Sequence, residues 1–168
     1  MVKQFALAQT LRTLTTTPLH FRWLNDAAMQ ALESTVREAE QGHSGEIRVV
    51  IERALPLDVA WRQTVRQRAE DMFAHLRVWD TAARSGVLVY VNLAERQLEL
   101  VADRGIAAVV APSRWQSLCD HAAQDIGNNH ALPALQTLLL AIGAEMRAHG
   151  TLADDPHGNE LSNTITVR

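Results

Sequence analysis

The sequence predicts an α/β fold, a three-layer αβα sandwich in which helices cover both faces of a small mixed sheet. Two observations carry this prediction. The run Val87–Val91 is uncharged and rich in branched residues, which is typical of a central strand buried on both faces. A polar turn at Ala94–Arg96 and an alternating segment at 98–103 follow it, which indicates an antiparallel hairpin.

The elements before this hairpin have their own signals. Asn25 or Asp26 is suited to cap a first helix, whose apolar residues recur at helical spacing until Gly42 ends it. A strand follows at 46–53, where apolar residues alternate with charged ones over most of its length. Asp58 is expected to cap the next helix. That helix connects the two strands, so they are predicted to be parallel and joined by a right-handed crossover.

Two closing helices complete the pattern. Pro112 and Ser113 begin the third helix, Asn128–Asn129 break it, and a fourth helix continues until Gly150. The chain is therefore expected to divide into a lead at 1–24, a folded domain at 25–150 and a polar tail at 151–168. The lead is either a short helix packed on the domain or a docking segment. The residues Thr164–Val167 either add an edge strand or stay mobile.

Composition excludes several classes of function. With 168 residues, 47% of them apolar, the chain is long enough for one domain with a core. A net charge of −3 and 5% aromatic residues disfavour a nucleic-acid partner. The single Cys119 cannot form an internal disulfide and is expected to be a buried structural thiol. Residues 1–24 lack the apolar core of a signal peptide, and no segment is apolar enough to span a bilayer, so we expect a soluble, cytoplasmic protein.

Acidic residues are expected to meet at one rim of the sheet. Because the third strand is antiparallel, its Asp103 end should lie beside the beginnings of the other strands, together with Glu46 and Asp80. Oxygen ligands from several loops suit a hard cation, so these three carboxylates form a candidate site for calcium or magnesium. The alternative is structural, with Asp103 capping a turn or pairing with Arg104, and Asp80 capping a loop.

Catalytic candidates at the same rim are His43 and Arg104. His43 lies in a glycine-flanked turn, and because histidine as a residue type titrates near neutral pH it is a candidate general acid or base, although a surface turn histidine is the simpler interpretation. No nucleophile lies at triad spacing from it. Phosphate-binding loops, dinucleotide fingerprints and HExxH motifs are absent from the sequence.

At these residues the chain resembles the TPM domain family over roughly 25–149. The resemblance consists of the strand SGEIRVVIE, the block SGVLVYVNLAERQLELVADRGI and the flanking helices. Where the family usually has Asp-Asn-Gly, this chain has Arg84-Ser85-Gly86. An HxGEIR opening, the VADRG motif and the tail motif Asn159-Glu160-Leu161 are similar to a compact bacterial branch without signal peptide or membrane anchor.

The resemblance implies a Rossmann-like αβα sandwich and leaves two functions open. Some members bind calcium or other divalent ions at acidic loops, phosphatase activity has been ascribed to plant members, and others act as accessory factors. We therefore expect an accessory or binding module with a protein partner, and leave open whether it responds to a divalent metal such as calcium or magnesium. The alternative is a metal-assisted phosphatase for phosphate monoesters. In it Glu46, Asp80 and Asp103 hold the cation, Arg104 or Arg84 neutralises charge, and His43 protonates the leaving group.

Overall fold

Helices and strands alternate along the described part of the chain. The computed structural model describes residues 22–127, 130–149 and 158–168. Its elements in order are α1 (Asp26–Ala39), β1 (Ile47–Glu52), α2 (Leu57–Ala60), α3 (Val65–His75), β2 (Val87–Asn92), β3 (Gln97–Ala102), α4 (Arg104–Ala107), α5 (Pro112–Gly127), α6 (Ala131–Ala148) and β4 (Thr166–Val167).

The four strands form one mixed sheet in the order β3-β2-β1-β4. β1 is parallel to both β2 and β4, and β3 is antiparallel to β2. The predicted parallel pair and the predicted hairpin are therefore confirmed. The end of the chain adds a short edge strand at Thr166–Val167, which lies within the segment where the sequence left an edge strand open.

Side chains alternate between two cores on the two faces of the sheet. Ile51 and Val89 pack on one face with residues of α1, α5 and α6. Val50 and Leu88 pack on the other face with residues of α2 and α3. Since helices cover both faces, the predicted αβα sandwich is confirmed. β2 is buried along its whole length, as its uncharged sequence requires.

The helix predicted to begin at Asp58 is two helices, so that prediction is wrong. The short α2 ends at Ala60, and α3 begins after Thr64. The Gln67 N–H donates to the Thr64 hydroxyl at 3.2 Å, and the Thr64 N–H donates to Oε1 of Gln67 at 2.9 Å. This capping box satisfies two otherwise unpaired donors, which makes Thr64 the stronger start signal. At α1 the predicted cap Asn25 is confirmed by its side-chain hydrogen bond.

Some predictions fall outside the described residues. These are most of the lead at 1–24, the break at Asn128–Asn129, the stop at Gly150 and the first part of the tail, 151–157. The division into three segments stays a prediction. In the described ranges, none of the helices combines the length and the apolar character that crossing a bilayer requires.

Candidate functional site

The predicted acidic rim lies at the amino ends of β1 and β2, and we call it the amino rim. The Val87 N–H donates to the Glu46 carbonyl at 2.8 Å, and the Asp103 N–H donates to the Gly86 carbonyl at 2.8 Å. Glu46, the turn before β2 and the end of β3 are thus neighbours, as the antiparallel hairpin required. Several side chains at this rim form hydrogen bonds with backbone groups that the sequence did not identify.

Glu46 holds the polypeptide backbone near the end of the chain. Its carboxylate is only 4% exposed. The Glu160 N–H donates to Oε1 at 3.0 Å, and the Leu161 N–H donates to Oε2 at 3.3 Å. Since both oxygens accept backbone hydrogen bonds, this side chain stabilises the docking of residues 158–168, which we call the C-terminal strap.

The other two acidic candidates have different surroundings. Asp103 caps α4, because its Oδ1 accepts the Arg104 N–H at 2.7 Å, and its Oδ2 is buried without a hydrogen-bond partner. Asp80 is exposed. Within the described ranges, no group of three or more His, Cys, Asp or Glu side chains is arranged to hold a metal ion. Glu46 and Asp103 hold backbone groups of the fold, as the hydrogen bonds of these side chains show, and the assignment of Glu46, Asp80 and Asp103 to a divalent cation stays a prediction.

His43 is buried, with both ring nitrogens engaged. Nε2 lies 2.7 Å from the Ala39 carbonyl, and the Gly45 N–H donates to Nδ1 at 3.0 Å. These contacts assign the neutral tautomer with the proton on Nε2. The simpler surface-turn interpretation is wrong in one respect, because the side chain is 3% exposed. Arg84 and Arg104 are exposed at the same rim.

Glu40 is a functional candidate that the sequence analysis did not single out. Its Oε1 accepts the Ile47 N–H at 2.8 Å, and its Oε2 accepts a hydrogen bond from the Asn163 amide. Burial, with a smaller contribution from the nearby charge of Glu46, raises the pKa of Glu40 to about 7 against the opposing effect of these hydrogen bonds. A sequence signal existed, since Glu40 continues the buried face of α1 one turn after Val36.

The C-terminal strap is fastened along the whole β1 edge of the sheet. Arg48 donates to the Thr166 hydroxyl at 2.9 Å and also to the Ser162 carbonyl. The Arg168 N–H donates to the Ile51 carbonyl at 3.0 Å. The segment predicted as a polar tail thus occupies, in its described part, the sheet edge beside β1.

A second buried polar cluster lies at the opposite ends of β1 and β2. Arg68 of α3 donates to both carboxylate oxygens of Glu52, at 3.1 and 2.7 Å, and the Tyr90 hydroxyl donates to the same carboxylate. Glu52 is paired in register with Asn92, whose side-chain oxygen accepts the Glu95 N–H at 2.9 Å. Burial followed by the hydrogen bond to Glu52 raises the pKa of Tyr90. The cluster joins α3 to the sheet.

β3 forms the other edge of the sheet in the described residues. The hydrogen bond from Asp103 to β2 marks a paired position, so the alternation of an antiparallel ladder directs the backbone groups of Leu98, Leu100 and Ala102 outward. Arg66 donates to the Leu100 carbonyl at 2.6 Å. Among the described residues, the outward backbone groups of Leu98 and Ala102 have no hydrogen-bond partner.

A groove of about 340 Å³ runs beside this edge between α3 and α5. Its lining includes apolar side chains of β3 and α5 together with charged ones; the residues are Arg66, Leu98, Glu99, Leu100, Ala102, Ala107, Val110, Pro112, Trp115, Gln116 and Cys119. The indole Nε1 of Trp115 is buried without a partner. Burial, with a smaller effect of the Glu99 charge, raises the pKa of Cys119 to about 12, so this thiol is not a nucleophile at neutral pH.

Comparisons with known proteins agree with this architecture. The family model described as the TPM domain matches residues 22–145. The chain is similar to the BA42 protein from the psychrophilic bacterium Bizionia argentinensis, with 25% identity and a TM-score of 0.75 over 86% of this chain and 94% of that one. No curated protein matches the sequence.

A second solved structure shows the fold alone. The N-terminal domain of a protein from P. gingivalis shares 13% identity, with a TM-score of 0.61 over 77% of this chain and 82% of that chain. The family model spans nearly all of the described sheet and its helices, and the predicted resemblance is therefore confirmed. The chain belongs to the TPM domain family.

Proposed function

We propose that this protein is a binding module that docks an extended segment of a partner protein along the β3 edge. The observation that carries the proposal is that the edge strand β3 lies directly beside a groove. The backbone groups of Leu98 and Ala102 point outward, and the groove beside them is lined by apolar side chains of β3 and α5. Strand addition uses such backbone groups for affinity and such grooves for specificity.

A comparison of the two sheet edges favours the β3 edge as the docking site. The β1 edge carries the protein's own C-terminal strap, so a partner strand there would have to displace it. At the β3 edge two described side chains contact the outward groups of Leu100: Arg66 covers its carbonyl, and the Cys119 sulfur lies in hydrogen-bond contact with its backbone. The Arg66 side chain is 48% exposed and also pairs with Glu70 at 2.8 Å. The bond from Arg66 to Leu100 is partly buried and has a charged donor, so releasing it costs about 1.5–3 kcal/mol, which strand addition has to offset.

The phosphatase hypothesis has less support from the described geometry. Both oxygens of Glu46 accept backbone hydrogen bonds, one oxygen of Asp103 caps a helix, and His43 uses both ring nitrogens within the fold. The hydrogen bonds of Glu46 and His43 within the fold compete with the activation of water and the protonation of a leaving group, and the unpartnered Oδ2 of Asp103 is buried. A binding role needs only the edge and the groove.

Selection of displayed peptides against the protein tests the proposal. Ala102→Pro removes the outward N–H, and its matched control Ala102→Ser keeps that donor. Peptides selected on the parent protein should bind the Pro variant about tenfold more weakly, since a hydrogen bond is lost and the ring obstructs the added strand. Binding to the Ser variant should be unchanged.

Amide NMR spectra give the second readout. Bound peptides should shift the amide signals of Leu98, Leu100 and Ala102 more than those of the β4 edge. Equal binding to the parent protein and both variants, or shifts confined to another surface, would contradict the proposal.

A further inference from the structure

The carboxyl ends of the parallel strands carry arginines from three separate segments. Arg53 follows β1, Arg96 lies in the turn between β2 and β3, and Arg168 follows the last strand. Backbone hydrogen bonds join these segments: the Arg53 N–H donates to the Arg168 carbonyl at 2.9 Å, and the Ala94 N–H donates to the Arg53 carbonyl at 3.0 Å. All three arginines are exposed.

A fourth arginine and a tryptophan belong to the same end of the molecule. Because β1 and β2 are parallel, the chain leaves β1 at this end and α3 carries it back, so the connection 53–64 lies here. It contains Trp61, which is 51% exposed, and the exposed Arg62. We call Arg53, Trp61, Arg62, Arg96 and Arg168 the arginine rim.

The cations of this rim lack the carboxylate partners that Arg68 and Arg114 have. Arg68 pairs with Glu52 at 2.7 Å, and Arg114 pairs with Glu145 at 2.6 Å. Among the described residues, no carboxylate forms an ion pair with any of the four rim arginines. Asp58 is the one exposed acid of the connection 53–64. The buried Glu95 precedes Arg96 in the turn, so these four cations outnumber the carboxylates of the same connection and turn, Asp58 and Glu95, on a chain whose net charge is −3.

The opposite end of the sheet has a more even balance of exposed charges. At the amino rim, exposed arginines such as Arg77, Arg84 and Arg104 are accompanied by the exposed acids Asp80 and Glu160. Charges of both signs are thus mixed there. The arginine rim, with four cations, is the end of the sheet suited to an anionic partner.

We propose that the arginine rim binds an acidic segment of a partner protein. Guanidinium groups recognise carboxylates through paired hydrogen bonds, and the exposed Trp61 offers apolar packing area at the same end of the sheet. The arginines are exposed and come from loops around the rim, which suits carboxylates distributed along a chain. A small anion is usually held by an enclosed pocket. The site is independent of the β3 groove, because its argument uses charge and not strand pairing.

Titration with an oligoglutamate peptide, followed by amide NMR at low ionic strength, tests this site. The double variant Arg53→Gln/Arg96→Gln removes two rim charges. Arg84→Gln/Arg104→Gln is its matched control at the amino rim, and each pair contains one arginine with positive φ, Arg96 at 53° and Arg84 at 51°. Arg62→Gln serves as a second rim variant that leaves strand ends untouched.

We expect saturable shifts at the rim residues, weakening with added salt. The dissociation constant should rise about fivefold or more in Arg53→Gln/Arg96→Gln, more modestly in Arg62→Gln, and remain unchanged in the amino-rim control. Equal weakening in the control, or no saturable shift in the parent protein, would overturn the proposal. Tripolyphosphate that binds the rim when oligoglutamate does not would overturn it in favour of a phosphate ligand.

Discussion

Replacement of Glu40 by Gln is expected to stabilise the protein above neutral pH. In the folded protein the pKa of Glu40 is raised from its ordinary value of 4.5 to about 7, chiefly by burial. Between these two pH values the folded state binds a proton that the unfolded state has released, so stability falls as the pH rises. Gln keeps the size and the acceptor for the Ile47 N–H but carries no charge, and it therefore removes this loss.

The magnitude follows from the two pKa values. A change of this size in a carboxyl pKa corresponds to about 3 kcal/mol in the free energy of unfolding. Glu40 is partly accessible to water, and solvent screening reduces the expected gain to about 1–2 kcal/mol above pH 7. Below pH 4.5 the carboxyl is protonated in both states, so parent and variant should be nearly equal there.

Urea unfolding of the parent protein and Glu40→Gln across this pH range measures the effect. Glu38→Gln is the control, because Glu38 is an exposed acid on the same helix. The gain for Glu40→Gln should grow as the pH rises through the range and level off above about pH 7. A gain that does not depend on pH, or an equal gain in the control, would refute the assignment of a raised pKa to this burial.

Three further predictions concern other parts of the fold. Glu52→Gln should lower the free energy of unfolding by about 3 kcal/mol, because it leaves the charge of the mostly buried Arg68 without its partner. Urea titration measures this, and an unchanged unfolding midpoint would contradict the prediction. Gly143→Ala should cost about 1–3 kcal/mol, since a Cβ would lie 2.3 Å from the Ala39 carbonyl where α6 crosses α1; its melting temperature is the check. Cys119 should react with a thiol reagent at pH 8 about two orders of magnitude more slowly in the folded than in the unfolded protein, because burial raises its pKa to about 12. Equal reaction rates in the folded and unfolded protein would contradict this, since they would show an accessible thiolate.

Local patterns in the sequence predicted most of the fold. The uncharged run at Val87–Val91 identified the strand that is buried on both faces, and the following alternation identified the hairpin. The start of α3 was misplaced at Asp58, because Thr64 and Gln67 form a capping box that competes with an isolated acidic cap. Patterns of this kind are readable because each depends on neighbours within a few residues of one another.

The roles of the site residues depended on partners far away in the chain. The sequence placed Glu46 at the correct rim, but its hydrogen bonds go to residues 114 and 115 positions later. Glu40 acquires its raised pKa from burial beneath the C-terminal strap, with Asn163 as a partner 123 positions away. Hydrophobic periodicity predicts which face of a helix or strand is buried, but it does not predict which distant residue contacts that face. The sequence by itself therefore determined most of the elements and the family, whereas only the tertiary structure decided that these carboxylates hold the chain's own backbone.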